Sequence, residues 1–377
     1  MRVGGLVRQA REVWEVPRDL VLRRYPPFVT GGALPRGHVP VFVFHGLEPV
    51  SFGRKLQYLA GNGYRTLSAE EYLAVLTGSA QAPERAVVLT FDDGRASLAA
   101  VGAPLLRQHG MRGIVFLVPG RTPARPDPAP AGQADTALLS WPEIASLSAA
   151  GVYDFHSHTL FHARIHVEPR VVGFMMPWMR HGYAAFDVPV LERGGNDVLA
   201  DQVPLGTPLL RSEPRTSESL RFREDAAAGE SCVRIVAAHG GAAFFERPGW
   251  ERALRRAAAG RSWGGQFESA VERDTAIRRE LEEARHLIER HTGRPAVHLC
   301  YPWHTAGPTA RRLAHEAGYR TAFCGKVPGV PITPPGGDPH RIARIGEDYV
   351  ELLPGEGRAD LAAVLKRKWS RRMRGGT

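Results

Sequence analysis

The sequence predicts an α/β protein built on a parallel sheet, closed as a barrel rather than left open. Three observations lead there. About seven short β-prone runs occur, most followed by a helical pattern, and repeated βα units imply parallel strands. The first run, Pro40-Val41-Phe42-Val43-Phe44, is continuously apolar instead of alternating, as a strand buried on both faces is. No G-x-G-x-x-G follows a first strand and no G-x-x-x-x-G-K-S/T occurs, so the phosphate-cradling open folds lose their main support.

Residues 1–38 form a basic, Pro/Gly-punctuated extension with one helical stretch expected at Val7–Val16. After the first strand comes a helix with Phe52, Leu56 and Leu59 on one face, stopped by Gly61-Asn62-Gly63. Tyr64–Leu67 reads as a short strand, and Ser68-Ala69-Glu70-Glu71 as the capping box of the next helix. Then follow strand Ala86–Phe91, helix Ala96–His109, strand Gly113–Val118 and a Pro/Ala-rich loop at 119–136. Ser140-Trp141-Pro142-Glu143 is a second capping box, with proline early in the first turn where its missing N–H is harmless. Strand Val152–Phe155 precedes an interruption of 110 residues, 163–272, dense in Arg, Pro and Gly. A stretch this long is expected to be functional or a small subdomain, with Trp178, Trp250 and Trp263 either stacking on a ligand or filling a small core. The rhythm resumes with helix Asp274–His291, strand Val297–Tyr301, helix Thr309–Ala317 and strand Tyr319–Phe323. The expected organisation is thus an extension (1–38), a barrel (39–345) interrupted at 163–272, and a basic C-terminal tail (346–377).

Composition narrows the classes further. With 43% hydrophobic and 23% charged residues the chain can bury a sizeable core, which excludes a disordered protein. Three widely spaced cysteines, Cys232, Cys300 and Cys324, support neither a disulfide framework nor a zinc finger. No apolar run approaches the roughly 18 residues of a membrane span, and the first residues do not read as a secretory signal, so a cytoplasmic location is expected. The formal charge is +10, yet only four of 49 basic residues are lysine and most are scattered, so no nucleic-acid partner is expected. The exception is Lys366–Arg374, where six of nine residues are basic. That run is expected as a solvated end capable of weak contact with an acidic membrane surface.

Two places concentrate chemistry. Fifteen histidines in 377 residues predict about half of one in an 11-residue window. The window His156–His166 holds four: His156, His158, His162 and His166. Imidazoles at i and i+4 can converge on one metal ion, and these follow a strand's end, where parallel barrels build their sites. The second place is Thr90-Phe91-Asp92-Asp93-Gly94. Two adjacent carboxylates at a strand's end repel each other unless a cation relieves them, and one is then free to act as a base. Gly94 lets the backbone turn sharply there.

With His158-Thr159-Leu160-Phe161-His162 and Tyr301-Pro302-Trp303, the Thr90–Gly94 segment resembles the first three motifs of the polysaccharide deacetylase family (NodB-homology, carbohydrate esterase 4). The lead-in Val43-Phe44-His45-Gly46 with Asn62–Leu67 resembles that family too, and the likeness covers residues 40–162 and 273–345. The resemblance implies a distorted (β/α)7 barrel with a long insertion between the second and third motifs. It implies a divalent metal, with zinc expected, held by Asp93, His158 and His162. Asp92 would be the general base, and the backbone N–H of Trp303 would stabilise the oxyanion. Two departures stand out. Cys300 occupies the position where many members carry the arginine that orients the base, and no late Leu-x-His motif supplies the general acid. His304 and His45 are the substitutes, with His304 preferred; His156 and His166 are expected to lie outside the ligand set.

The function expected on this basis is removal of N-acetyl groups from a glycan or amino-sugar conjugate. O-deacetylation or hydrolysis of another small amide is the alternative among enzymes. A sugar-binding protein that has lost turnover is the alternative outside them, and Cys300 with the missing acid motif favours it.

Overall fold

The computed structural model describes residues 24–126, 137–259 and 263–373. The expected helix at Val7–Val16, part of the 119–136 loop and Arg374 lie outside the described residues. The strands in chain order are β1 (Val41–Phe44), β2 (Arg65–Thr66), β3 (Ala86–Asp93), β4 (Gly113–Leu117) and β5 (Tyr153–Ser157). Within the insertion come β6 (Arg164–Phe174), β7 (Leu191–Arg193), β8 (Asn196–Val198), β9 (Pro208–Pro214), β10 (Phe222–Glu224) and β11 (Gly265–Phe267). The barrel resumes with β12 (His298–Cys300), β13 (Thr321–Phe323) and β14 (Ile345–Gly346).

All neighbours in the main sheet run parallel, in the order β13-β12-β5-β4-β3-β1-β14, with β2 beside β3. The ends of this sheet meet. Phe323 bridges Ile342, and Cys324 and Arg344 N–H groups donate across the gap to Ile342 O (2.8 Å) and Gly325 O (3.1 Å). From the next residue, Ile345, the same segment pairs with β1 at Phe42 and Val43. The sheet therefore curls into the distorted barrel expected, with a thin seam between β5 and β12, whose register holds only Leu299 against Ser157. That seam is where the insertion departs and returns.

Alternation along β3 sorts its side chains between two cores. Val87, Leu89 and Phe91 face the helices, with Phe91 among Phe44, Phe52 and Tyr153 at centroid distances of 5.2–5.9 Å. Ala86 and Val88 face the barrel interior with Ile114, Phe116, Cys300, Phe323 and Ile342. Thr90 and Asp92 share the parity of Val88, so the barrel's inner face delivers Asp92 to its upper end. The strand extends beyond the expected Phe91 to include both aspartates. Asp93 turns out of the strand at φ +69, and Gly94 follows at +72, where a Cβ would sit 2.6 Å from Leu117.

His156 also points into the barrel, edge-on to His298 at 4.4 Å, and is buried with its Nδ1 lacking a partner. Burial, then the neighbouring His298, holds its pKa well below the ordinary imidazole value. Above about pH 6.5 the imidazole is neutral in both states; below it the unfolded chain takes up a proton that the folded chain refuses. Stability is therefore lost as pH falls through that value, by about 1.4 kcal/mol at one unit below it. The urea midpoint of the wild type is expected to drop between pH 7.5 and 5.5 by more than that of His156→Gln. Equal drops would show that His156 contributes nothing to the acid sensitivity.

The helix Ala270–Thr292 starts four residues earlier than expected because Ser269 and Glu272 form a further capping box. The insertion carries two small apolar cores, one around Met175, Val188 and Leu191, the other around Phe174, Cys232 and Leu254. Trp250 and Trp263 pack against the second, while Trp178 is half exposed. A buried bidentate pair, Arg215 with Glu268 (2.6 and 2.9 Å), clamps the insertion at its base. Past residue 345 the chain keeps packing on the barrel, with Tyr349, Val350, Leu352, Leu353 and Val364 in the main core. The basic run expected as a solvated end is helical over Leu361–Met373; Arg367 and Lys368 pair with Glu351 and Asp348, and Trp369 is exposed. No helix among the described residues is long and apolar enough to cross a membrane.

Candidate active site

At the upper end of the barrel the two motifs converge. His158 Nε2 and His162 Nε2 each lie 3.9 Å from Asp93 Oδ1, and all three side chains are buried. That spacing is too long for hydrogen bonds but admits one ion at about 2.0–2.2 Å from each atom. The tautomers suit this. His158 Nδ1 lies 2.8 Å from Cys300 O, and since a carbonyl only accepts, Nδ1 carries the proton and Nε2 keeps its lone pair toward Asp93. Burial first holds the His158 pKa down against the raising pull of Asp92 and Asp93, and burial then His158 holds His162 well down, so both rings are neutral. One aspartate and two neutral imidazoles form a donor set that fits zinc or a similar divalent ion.

Asp93 is held from its other side. Its Oδ2 accepts from Arg95 Nη2 (2.8 Å) and Nε (3.3 Å), and Arg95 is fully buried with its guanidinium 3.5 Å above the Tyr183 ring. Burial alone would raise Asp93; the Arg95 cation outweighs it and keeps the carboxyl well below the usual range. Tyr183 comes from the insertion, as does Phe186, whose ring stands edge-on to His162 at 5.0 Å. The insertion thus walls one side of the site.

Asp92 sits 3.9 Å from His158 Nε2 through Oδ2. Both its oxygens accept from one guanidinium, Arg344 Nη1 (2.7 Å) and Nη2 (2.8 Å), and Nη1 also reaches Thr90 Oγ1 (3.1 Å). Burial would raise this carboxyl as well, but the Arg344 guanidinium, by charge and by hydrogen bonding, holds it far below the ordinary range, so it is ionised. The arginine missing at position 300 is therefore supplied from the segment that leads into β14. Arg344 Nη2 lies 2.9 Å from Cys300 Sγ, so the small thiol makes room for a guanidinium arriving from the opposite wall. Burial lifts the Cys300 thiol well above its ordinary pKa, which keeps it neutral.

The third motif forms the opposite rim. Trp303 and His304 both adopt left-handed backbone (φ +49 and +58), an uncommon pair for side chains of this size. The Trp303 ring lies 4.0 Å from that of His162. His304 Nδ1 is 3.4 Å from Arg344 Nη2, and its ring covers Gly325, where a Cβ would fall 2.5 Å from Cγ. Although His304 as a residue is exposed, the protein crowded about its ring, and after it Arg344, holds the imidazole below its ordinary range. His45 projects from the end of β1 with Nε2 3.9 Å from Asp92 Oδ2, and its side chain is 48% exposed. His166 lies apart, its Nδ1 on Glu224 (3.1 Å) and its Nε2 accepting from Leu210 N–H (3.2 Å). Neither it nor His156 joins the ligand group.

A mostly parallel, closed βα sheet with an Asp/His2 cluster at the strands' C-terminal ends defines the class as an α/β barrel with a metal-type site. Residues 79–172, which include the first two motifs, match the polysaccharide deacetylase family model. The resemblance read from those motifs therefore holds. Over 88 residues the chain is 27% identical to YxkH of Bacillus subtilis (strain 168), a protein named for polysaccharide deacetylation. That stretch is 21% of this chain and 32% of YxkH, so the match spans about a third of that relative. Among solved structures, a de-N-acetylase from Aggregatibacter actinomycetemcomitans superposes with a TM-score of 0.50 at 16% identity, over 88% of this chain and 99% of the other. The BpsB deacetylase domain from Bordetella bronchiseptica gives 0.51 at 16%, over 83% and 97%. At such identities these structures establish the shared fold.

Proposed function

We propose that the protein is a metal-dependent hydrolase that removes N-acetyl groups from a glycan or amino-sugar conjugate. The observation that carries this is the convergence of Asp93 Oδ1, His158 Nε2 and His162 Nε2 beside an ionised Asp92 gripped by Arg344. Asp93, His158 and His162 would hold the ion, with zinc best matched by their chemistry, and the bound ion supplies a Lewis acid and a water of lowered pKa. Asp92 accepts the proton of the attacking water at Oδ2, the oxygen that faces His158 and His45. Arg344 keeps that carboxylate ionised and in one orientation. The Trp303 N–H donates to the oxyanion as the carbonyl opens. The Trp303 ring, against His162, lines the floor on which the acetyl group lies.

The leaving amine needs a proton, and geometry divides the two candidates. His304 faces the Arg344 cation, which disfavours the imidazolium a proton donor requires. His45 stands at the open rim, its side chain half exposed and its Nε2 3.9 Å from Oδ2 of Asp92, the oxygen that takes the water's proton. We assign the acid to His45 in preference to His304. His45→Gln is then expected to lower kcat on an N-acetyl substrate by about 10²–10⁴-fold. An activated aryl acetate, whose leaving group needs no proton, should be far less affected. His304→Gln should cost much less on the amide; the reverse order would return the role to His304.

The names of the relatives point to acetylated polysaccharide, and the test follows from that. Acetate release from N-acetylated amino-sugar oligomers, abolished by chelation and restored by zinc, is the expected result. Cleavage of acetyl esters with no action on matched amides would move the assignment to O-deacetylation. Specific sugar binding without release of acetate would favour the binding-protein reading. Arg344, by supplying the contact that Cys300 cannot, supports turnover instead.

A further inference from the structure

The loop that carries both histidines is conformationally costly. Thr159 (φ +62) and His162 (φ +52) are left-handed, and for a β-branched threonine that is a genuine outlier. Something must hold this loop open toward Asp93. The backbone of Phe161, next to His162, is gripped at both of its polar groups: its N–H donates to Glu280 Oε2 (3.1 Å), and its C=O, in the peptide that joins it to His162, accepts from Arg121 Nε (2.8 Å). The preceding carbonyl, Leu160 O, accepts from Gly120 N–H (2.8 Å), and a Cβ at Gly120 would strike the Phe161 ring at 2.5 Å.

Glu280 is out of place for packing alone. It lies in the middle of the helix Ala270–Thr292, 5% exposed, on the face that also buries Ile277, Leu281, Ala284 and Ile288. A carboxylate is expensive there unless it has a partner and a use. Arg121 is equally committed: Nη1 reaches Ala185 O (3.4 Å), and the guanidinium lies 4.8 Å from the centroid of Phe186, the ring that abuts His162.

We propose that Glu280 and Arg121 are positioning residues that clamp the backbone on either side of the Phe161 Cα and so preorganise His158 and His162 for the metal. This rests on the metal-site reading above. Neither residue touches the ion or the substrate; they act through the loop, as groups behind metal ligands do, where loss typically weakens metal binding about 10–100-fold.

The test is metal affinity, read by competition between the full chain and a chelating dye for zinc, with the cobalt(II) d–d spectrum as a second readout. Glu280→Ala is expected to weaken binding at least about tenfold and to change the band shape. Glu280→Gln, whose amide oxygen still accepts from Phe161 N–H, should stay within about threefold of wild type and keep its spectrum. Should Glu280→Ala fail to fold, Arg121→Gln, at the other backbone group of the same residue, carries the test with the same tenfold criterion. Wild-type affinity in the alanine variant, or an equal loss in alanine and glutamine, would overturn the clamp while leaving the metal site standing. A wild-type chain that takes up no zinc would overturn the metal-site reading and the clamp together.

Discussion

Arg344→Met is expected to cut turnover by about 10²–10⁴-fold while leaving metal content unchanged. The guanidinium holds both oxygens of Asp92 and lies outside the Asp93, His158 and His162 group, so its loss strikes the base and spares the ligands. Methionine fills similar space without charge. Burial would then act on Asp92 without its guanidinium partner and lift its pKa from far below the carboxylate range. A base works only when deprotonated, so the acid limb of the pH–rate profile should move toward neutrality. Breaking a buried pair from one side also costs stability, about 3–5 kcal/mol. Activity is therefore best compared well below the melting temperature. Arg344→Lys keeps the charge but loses the two-pronged grip, so intermediate turnover is expected. Wild-type rate and an unmoved acid limb in Arg344→Met would reduce this arginine to a packing element.

Removing a ligand should have the opposite signature. In His162→Ala and Asp93→Ala, metal content is expected to fall from about one ion per chain to nearly none, and turnover to background with it. Asp92→Asn should keep its metal and still lose about 10²–10⁴-fold in rate. Elemental analysis beside acetate release separates ligand from base. His162→Ala is the cleaner of the two ligand variants. Asp93→Ala strands Arg95, which is buried against that carboxylate and the Tyr183 ring, so misfolding competes with metal loss there. Full metal content in His162→Ala would remove that residue from the ligand set.

The seven strands expected from apolar runs are all present, and the motif aspartates and histidines meet at one barrel end. These features were legible because they are local. A strand buried on both faces needs an apolar run, a sharp turn needs Gly94, and ligands four residues apart need only one short loop to bring them together. What escaped was long-range. Arg344 lies in Arg341-Ile342-Ala343-Arg344-Ile345, whose charges break the apolar pattern of a strand, and only two residues of it, Ile345 and Gly346, form a strand proper. Its partner is 252 residues away, a distance over which periodicity carries no signal. Cys300 offered a clue, since a small side chain at a position expected to hold arginine leaves room for one. Glu280 was equally hidden: a glutamate among Arg, Glu and Ala on a charged helix looks solvated, and only the burial of that helix face shows otherwise.

The closing of the barrel by its last strand also sets an order of events during synthesis. At roughly 5–20 residues per second, a ribosome needs about 13–50 s to travel from Asp92 to Arg344. Throughout that interval the nascent chain carries two adjacent acidic groups and no guanidinium for the first of them. Residues as far along as β13 can already be outside the tunnel with the barrel still open along one side. The final strand then joins both free edges and neutralises Asp92 in a single movement. A fragment ending before Arg344 would have all of the barrel's strands but the last, an unsealed edge available for pairing with another copy, and no oriented base.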